Sequence, residues 1–217
     1  MKAVREHLLI VFLLFAVASL GFIALTDRFF FNLFGGETST LAIVADIRLT
    51  SLAILMMVYL WLKKIIPDDH YQSYYPLKRA VWMSIVWLIL TAYFVLVRKV
   101  WVPSLQNWTD VVAFMVTGVV AEEILFRGII FDLTRVAFKA KKVLAFSAPV
   151  LISSLLFGLQ HLSYHGFQIT PASITQVVYT TLMGLVFASI REASGRLWPA
   201  VDFHMLNNLF TLIRNFG

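Results

Sequence analysis

LLIVFLLFAVASLGFIAL, residues 8–25, is a run of apolar residues broken by no charge. About 20 residues of helix cross the hydrocarbon core of a bilayer, so this run is long enough to span one once its flanks are included. Lys2 and Arg5 precede it and Ala16-Val17-Ala18 lies within it, which together resemble the start of a cleavable signal peptide. The apolar run continues through Leu25, past any such cleavage site, so an uncleaved first helix is expected. Six further apolar stretches follow, near 41–62, 80–97, 110–135, 143–162, 174–190 and 197–213. Pro67, Pro76, Pro103 and Pro171 fall in the connections, where helix breakers belong. Pro149 and Pro199 fall inside or at the start of spans, where neighbouring helices can accommodate them.

The expected fold is therefore all-α: a polytopic transmembrane helical bundle of about seven spans, with six to eight fitting the same pattern. The whole chain agrees with that reading. It is 60% hydrophobic, has a mean hydropathy of +0.82 and carries only 14% charged residues, far from the roughly 45–50% apolar content of a soluble domain. No linker, repeat or low-complexity tract divides it, so residues 1–217 are expected to form a single membrane domain. The net charge of +6 sits beside apolar segments, which points to membrane lipids with anionic headgroups and away from nucleic acid. The absence of cysteine excludes disulfides, thiolate metal sites and a cysteine nucleophile.

Orientation follows from the basic residues between spans. With the N-terminus in the cytoplasm, Lys2, Arg5, Lys63, Lys64, Lys78, Arg79, Lys139, Lys141, Lys142, Arg191 and Arg196 lie inside. Arg28, Arg98, Lys99 and Arg214 lie outside. That bias predicts an integral protein of the cell membrane with a cytoplasmic N-terminus. The sequence sets no oligomeric state.

Ionisable groups inside spans are expensive, so each needs a reason. The fourth stretch contains Ala121-Glu122-Glu123-Ile124-Leu125-Phe126-Arg127-Gly128. Glu123 and Arg127 are four apart, on one helix face, with the acid N-terminal to the base. Glu122 is rotated from Glu123 by about 100° and must find its partner on another helix or on water. Glu123 thus reads as paired and structural, and Glu122 as free for chemistry. A buried network that merely holds the bundle together would use the same residues.

The fifth stretch ends Phe157-Gly158-Leu159-Gln160-His161, with Phe157 and His161 on one face. A histidine near a helix end is often only interfacial, a reading that suits His165 better than His161. The seventh stretch holds Asp202-Phe203-His204-Met205-Leu206-Asn207-Asn208, in which His204 and Asn208 share a face and Asn207 lies close to it. Intramembrane Asn is often interhelical glue. Asp46 and Arg48, two apart in the second stretch, read as interhelical pairing or snorkelling.

A free carboxylate, a histidine, and a histidine with an amide, each on its own helix, are the parts for hydrolysis by activated water. A glutamate can act as general base, histidines can orient the water or bind a metal, and Asn can donate to an oxyanion. Two histidines and a carboxylate can also support zinc, although no HExxH segment is present. Nor is there a GxSxG segment.

Taken in order, EEILFR, FGLQH and HMLNN resemble the EExxxR, FxxxH and HxxxN motifs of the CAAX protease and bacteriocin-processing family (CPBP, or Abi), which includes the type II CAAX prenyl endopeptidases. The resemblance covers residues 109–213 as a motif-bearing core and leaves the spans within 1–108 without a recognised motif. It implies an intramembrane endopeptidase acting on a peptide or membrane-associated protein. In that scheme Glu122 activates water and His161 helps position it, while His204 and Asn208 stabilise the oxyanion. Glu123 and Arg127 support the site. The family is catalogued as metalloproteases, with His161 and His204 the candidate ligands, and a mechanism without tightly bound metal has also been argued for it. The expectation here is a water held by the histidines, activated by Glu122, with any metal loosely bound. A prenylated substrate is not assumed. Two readings from other classes stand beside the peptidase. One is a non-catalytic immunity or scaffold protein that binds a peptide or partner. The other is a small proton-relaying transporter, which the lack of an inverted repeat disfavours.

At about 1.5 Å per residue, His161 should lie near the outer end of its helix and His204 nearer the inner end of its own. They meet only if those helices are staggered, tilted or begin elsewhere.

Overall fold

The computed structural model describes residues 52–64, 81–82, 85–86, 88–89, 118–138, 142–143 and 145–216. The expected first span at 8–25 and the Asp46 and Arg48 positions lie outside these residues, as does most of the third span. Among the described residues the chain is mostly helical, as an all-α reading expects.

Residues 52–64 form helix α1. The fourth apolar stretch then runs as one helical path: α2 at Val120–Glu123, a π-wound segment at Ile124–Ile130, and α3 at Phe131–Phe138. The Phe131 N–H reaches the Phe126 carbonyl, five residues back, which is the mark of π winding. Every residue from Ile124 to Ile130 is buried. Such wide turns concentrate at functional sites, and this one begins where Glu122 and Glu123 end.

A short antiparallel ribbon follows, β1 at Lys142–Val143 and β2 at Phe146–Ser147, with Lys142 opposite Ser147 and Val143 opposite Phe146. It corrects the expected span at 143–162. The helix in that region, α4, begins at Ala148 and has 13 residues to Gln160, or about 20 Å at the usual rise. Ser147 caps it by accepting from the Val150 N–H, and Pro149 in the first turn removes a donor that would otherwise be orphaned. His161 closes α4 and opens a 3-10 turn, His161–His165, which ends at Gly166 in the left-handed conformation (φ 60°).

Helix α5, Pro171–Ser194, starts from a reciprocal capping box. Thr170 Oγ1 accepts from the Ser173 N–H at 3.1 Å, and Ser173 Oγ accepts from the Thr170 N–H at 2.8 Å. Its 24 residues make it the one helix among the described residues long and apolar enough to cross a membrane. It ends at Gly195, whose positive φ of 68° lets its N–H close on the Arg191 carbonyl. Arg191 therefore belongs to α5 and not to a loop: its side chain is wholly buried, so it drops out of the count of cytoplasmic loop charges. Helix α6 spans Trp198–Phe216, again with a proline in its first turn.

Small residues let α4 and α5 approach closely. A Cβ on Gly158 would collide with the Thr181 hydroxyl and reach the Val177 carbonyl at 3.0 Å. One on Gly184 would lie 3.0 Å from the Ser154 Cα. Antiparallel helices pack this way in lipid, where backbone contact substitutes for the hydrophobic drive available in water. Gly128 performs the same service for α1, since the Tyr59 ring lies against it.

The largest apolar cluster joins α1 through Leu62, the π segment through Phe126 and Ile129, α4 through Phe157, and α6 through Val201. A second couples α5 and α6 through Tyr179, Met183, Phe187 and Ala200. The outward faces carry exposed Leu155, Leu159, Ile174, Val178, Leu206 and Phe210, while Glu123, Arg127, Asp132 and Arg191 are buried. Charge inside and aliphatic surface outside is the reverse of a soluble domain and suits a chain solvated by lipid.

Candidate active site

Glu122 and Glu123 leave the α2 backbone in different directions, and the environments differ accordingly. The Glu123 side chain is 0% exposed and that of Glu122 17%. Glu123 Oε1 lies 3.0 Å from Arg127 Nη1. The angle falls short of a well-aligned hydrogen bond, so the contact is an ion pair more than a directed bond. The guanidinium is held instead by aromatic faces, with its carbon 4.1 Å from the Phe157 ring centre and 5.4 Å from that of Phe187. Burial of a cation against rings is favourable when water is excluded.

The same Glu123 oxygen also meets His204 Nδ1 at 2.8 Å. This corrects the view that Glu123 serves Arg127 alone. An ionised carboxylate only accepts, so His204 donates from Nδ1 and turns Nε2 the other way. Nε2 lies 3.8 Å from Glu122 Oε2. The imidazole is fixed in plane by Phe187, stacked at 5.0 Å and 21°, and by the edge of Phe157 at 5.5 Å.

His161 also packs on Phe157, edge to face, with ring centres 4.9 Å apart. Its Nδ1 donates to the Phe157 carbonyl at 2.8 Å, which fixes the ring orientation and the direction in which Nε2 points. The sequence places the two histidines at mismatched depths. The later start of α4 reduces that mismatch, and both rings pack on Phe157.

Asn208 follows His204 by one helical turn and is half-buried. Its Oδ1 accepts from Asn207 Nδ2 at 3.4 Å, and buried Asn207 in turn accepts from the Tyr179 hydroxyl at 2.8 Å. With its carbonyl engaged, the Asn208 amide has its NH2 group to offer elsewhere. Direct contacts thus join Glu122, Glu123, Arg127 and His204, a shared ring brings His161 alongside, and Asn208 is oriented from α5. His165 ends the 3-10 turn, half-buried.

Three features escape a reading of motifs. Gln160 Nε2 donates to Glu122 Oε1 at 3.3 Å, and its only sequence signal is its place beside His161. Tyr179 carries no signal, because its partner lies 28 residues away. Asp132, also buried, collects Lys63 at 3.2 Å and Arg191 at 3.3 Å, while Arg191 Nε donates to the Arg127 carbonyl at 3.1 Å. That cluster ties α1, α3 and α5 together just beyond the carboxylate pair.

His161 and His204 each spend Nδ1 on an oxygen, as metal-ligating histidines do, and His204 turns Nε2 towards Glu122 Oε2 at 3.8 Å. A third ligand does not join them: among the described residues no three His, Asp or Glu side chains gather closely enough to hold a metal. Among the described residues the donor set does not make up a zinc site.

Fold and site together define a helical bundle that buries a carboxylate–imidazole centre among apolar helices. The Type II CAAX prenyl endopeptidase Rce1-like family matches residues 103–210, and the chain belongs to that family. A relative in Bacillus subtilis (strain 168), named "Putative membrane peptidase YdiL", is 30% identical over 103 residues. The alignment covers 48% of this chain and 36% of the relative, so the chain corresponds to little more than a third of that protein's length. No solved structure matches the chain. The family match falls on the half that carries EEILFR, FGLQH and HMLNN.

Proposed function

We propose that the protein is an intramembrane endopeptidase that cleaves a peptide or membrane-associated protein with a water activated by Glu122. The observation that carries this reading is the division between neighbouring carboxylates. Glu123 is sealed against Arg127 and His204, while Glu122 stays partly open and faces His204 Nε2 from another helix. A general base needs access to water, which the partly open Glu122 has and the fully buried Glu123 lacks.

In this mechanism Glu122 takes a proton from water as the oxygen attacks the scissile carbonyl, with His161 Nε2 helping to hold that water. Negative charge then develops on the carbonyl oxygen, where the Asn208 amide and His204 Nε2 donate to it. For His204 to donate from Nε2 it must carry both ring protons, because Nδ1 is committed to Glu123. Collapse of the tetrahedral intermediate breaks the C–N bond, and Glu122 returns its proton to the leaving amine. Glu123 and Arg127 touch no reacting atom and hold His204 in register. The bundle has about seven spans with the N-terminus in the cytoplasm of a cell membrane, and the +6 charge favours anionic headgroups.

The test is cleavage of peptides by the protein purified in detergent. Glu122→Gln keeps the shape but removes the base, so cleavage should fall by roughly 10²–10⁴-fold with the fold intact. Native-like cleavage by that variant excludes Glu122 as base. If neither protein cleaves and both confer the same cellular phenotype, the non-catalytic binder is the better reading.

A further inference from the structure

A polar atom that is buried without a hydrogen-bond partner is costly, and each one needs an account. Among the described residues, apart from Glu and Arg side chains, such atoms are Gln160 Oε1, Ser163 Oγ, His165 Nε2 and Ser189 Oγ. Three of the four fall within residues 160–165, where α4 gives way to the 3-10 turn. Gln160 is 3% exposed and Ser163 5%. A 3-10 helix has three residues per turn, so side chains three apart eclipse, and Gln160 and Ser163 lie on one edge. Gln160 Nε2 donates to Glu122 Oε1 at 3.3 Å, which sets that edge beside the carboxylate proposed as base. The other end of the amide, Oε1, can only accept, whereas Ser163 Oγ can donate as well. Polar side chains that merely join helices satisfy one another, and these two do not.

We propose that the edge formed by Gln160 and Ser163 is a subsite for the substrate's main chain, holding one residue of an extended peptide close to the scissile bond. The inference rests on the peptidase reading and on Glu122 being the base. In an extended chain the N–H and C=O of one residue point to the same side, which is how paired strands exchange two bonds at a single residue. One substrate residue can therefore donate its N–H to Gln160 Oε1 and accept from Ser163 Oγ with its carbonyl. A helical segment has both groups engaged within itself. The substrate class is then a peptide that is already extended, or one that unwinds before it is cut. Both atoms are closed to solvent in this state, so the peptide reaches them by displacing the side chains that cover them. The two bonds it forms offset the penalty of leaving those atoms unpaired.

The test uses detergent-purified protein and a peptide that the native protein cleaves. Ser163→Ala removes the donor and leaves every carboxylate and imidazole of the site in place. One neutral hydrogen bond corresponds to about a 2–10-fold change, so kcat/KM should fall by that factor through KM, with kcat near native. A buried hydroxyl with no partner contributes nothing to the fold, so the variant should melt at or above the native midpoint. The second arm leaves the protein unaltered: peptide N–H groups are replaced by ester oxygens one position at a time, the scissile bond excepted. One position should lose about 2–10-fold in kcat/KM and its neighbours less. The same position should cost less in Ser163→Ala, because the two bonds hold one residue. A native KM in Ser163→Ala overturns the proposal, as does an ester series with no such position. A lowered midpoint or a variant that fails to fold also overturns it, since the hydroxyl would then serve the bundle. Glu122→Gln separates the two claims. If it cleaves normally, Glu122 is not the base and the proposed function fails, whereas if it is inactive and Ser163→Ala has a native KM, only the subsite fails.

Discussion

Arg127→Ala removes a cation that is 0% exposed, 3.0 Å from Glu123 and 4.1 Å from the centre of the Phe157 ring. Deleting one member of a buried ion pair strands the other, at a cost of about 3–5 kcal/mol. The geometry selects the lower end of that range, because Glu123 keeps His204 Nδ1 at 2.8 Å and is not left wholly unpaired. About 3 kcal/mol corresponds to a change of roughly two orders of magnitude in the unfolding equilibrium. Unfolding in mixed detergent micelles should show this as a lowered midpoint with an unchanged slope. A double variant, Glu123→Gln with Arg127→Met, strands no charge, and it should recover at least half of the loss while cleaving poorly, because the amide can still accept from His204 but cannot support its doubly protonated ring as a carboxylate does. An Arg127→Ala protein as stable as the native one but devoid of cleavage would refute the reasoning, since it would give Arg127 a part in the chemistry and not in the fold.

Tyr179→Phe removes only the hydroxyl that donates to buried Asn207, and losing that bond should cost about 0.5–1.5 kcal/mol, read from the same micelle titration. Cleavage should also weaken through kcat if Asn208 is oriented from α5; a variant unchanged in both respects would sever that chain of contacts. Extensively chelated protein in metal-free buffer should retain cleavage, with well under one equivalent of metal by elemental analysis. Activity lost on chelation and restored by stoichiometric zinc would instead require a metal held by His161 and His204.

The sequence carries the local relations of the site more faithfully than its boundaries. The four-residue spacing of Glu123 and Arg127 predicts their pairing, and the structure places them 3.0 Å apart. The start of α4 is read wrongly because Val143 to Phe146 continues the apolar run, and hydropathy cannot tell a strand from a helix. Ser147 and Pro149 are the true start signal, a cap and a first-turn proline, outweighed by the length expected of a span. Arg191 falls just beyond the apolar stretch at 174–190, although Gly195, four residues later, marks the end of the helix. The second grip of Glu123 on His204 spans 81 residues and that of Gln160 on Glu122 spans 38. No local period encodes such contacts; they follow from how three helices, α2, α4 and α6, are packed.

The π winding at Ile124–Ile130 lets this site absorb a change in chain length that a plain α-helix would not. Ile129 and Ile130 bear no polar group, and exchanging either for another aliphatic residue would be a mild change. In a plain α-helix, deleting one residue turns everything N-terminal to it by about 100° and slides it by about 1.5 Å. Here the deletion removes the extra residue that the wide turn holds, so the segment can relax to ordinary α winding with its flanks near their former register. Glu122, Glu123 and Arg127 would stay close to His204 and Gln160, with Asp132 still clasped by Lys63 and Arg191. Among homologous genes, in-frame loss of a single codon should therefore be tolerated more often in this stretch than elsewhere in these helices.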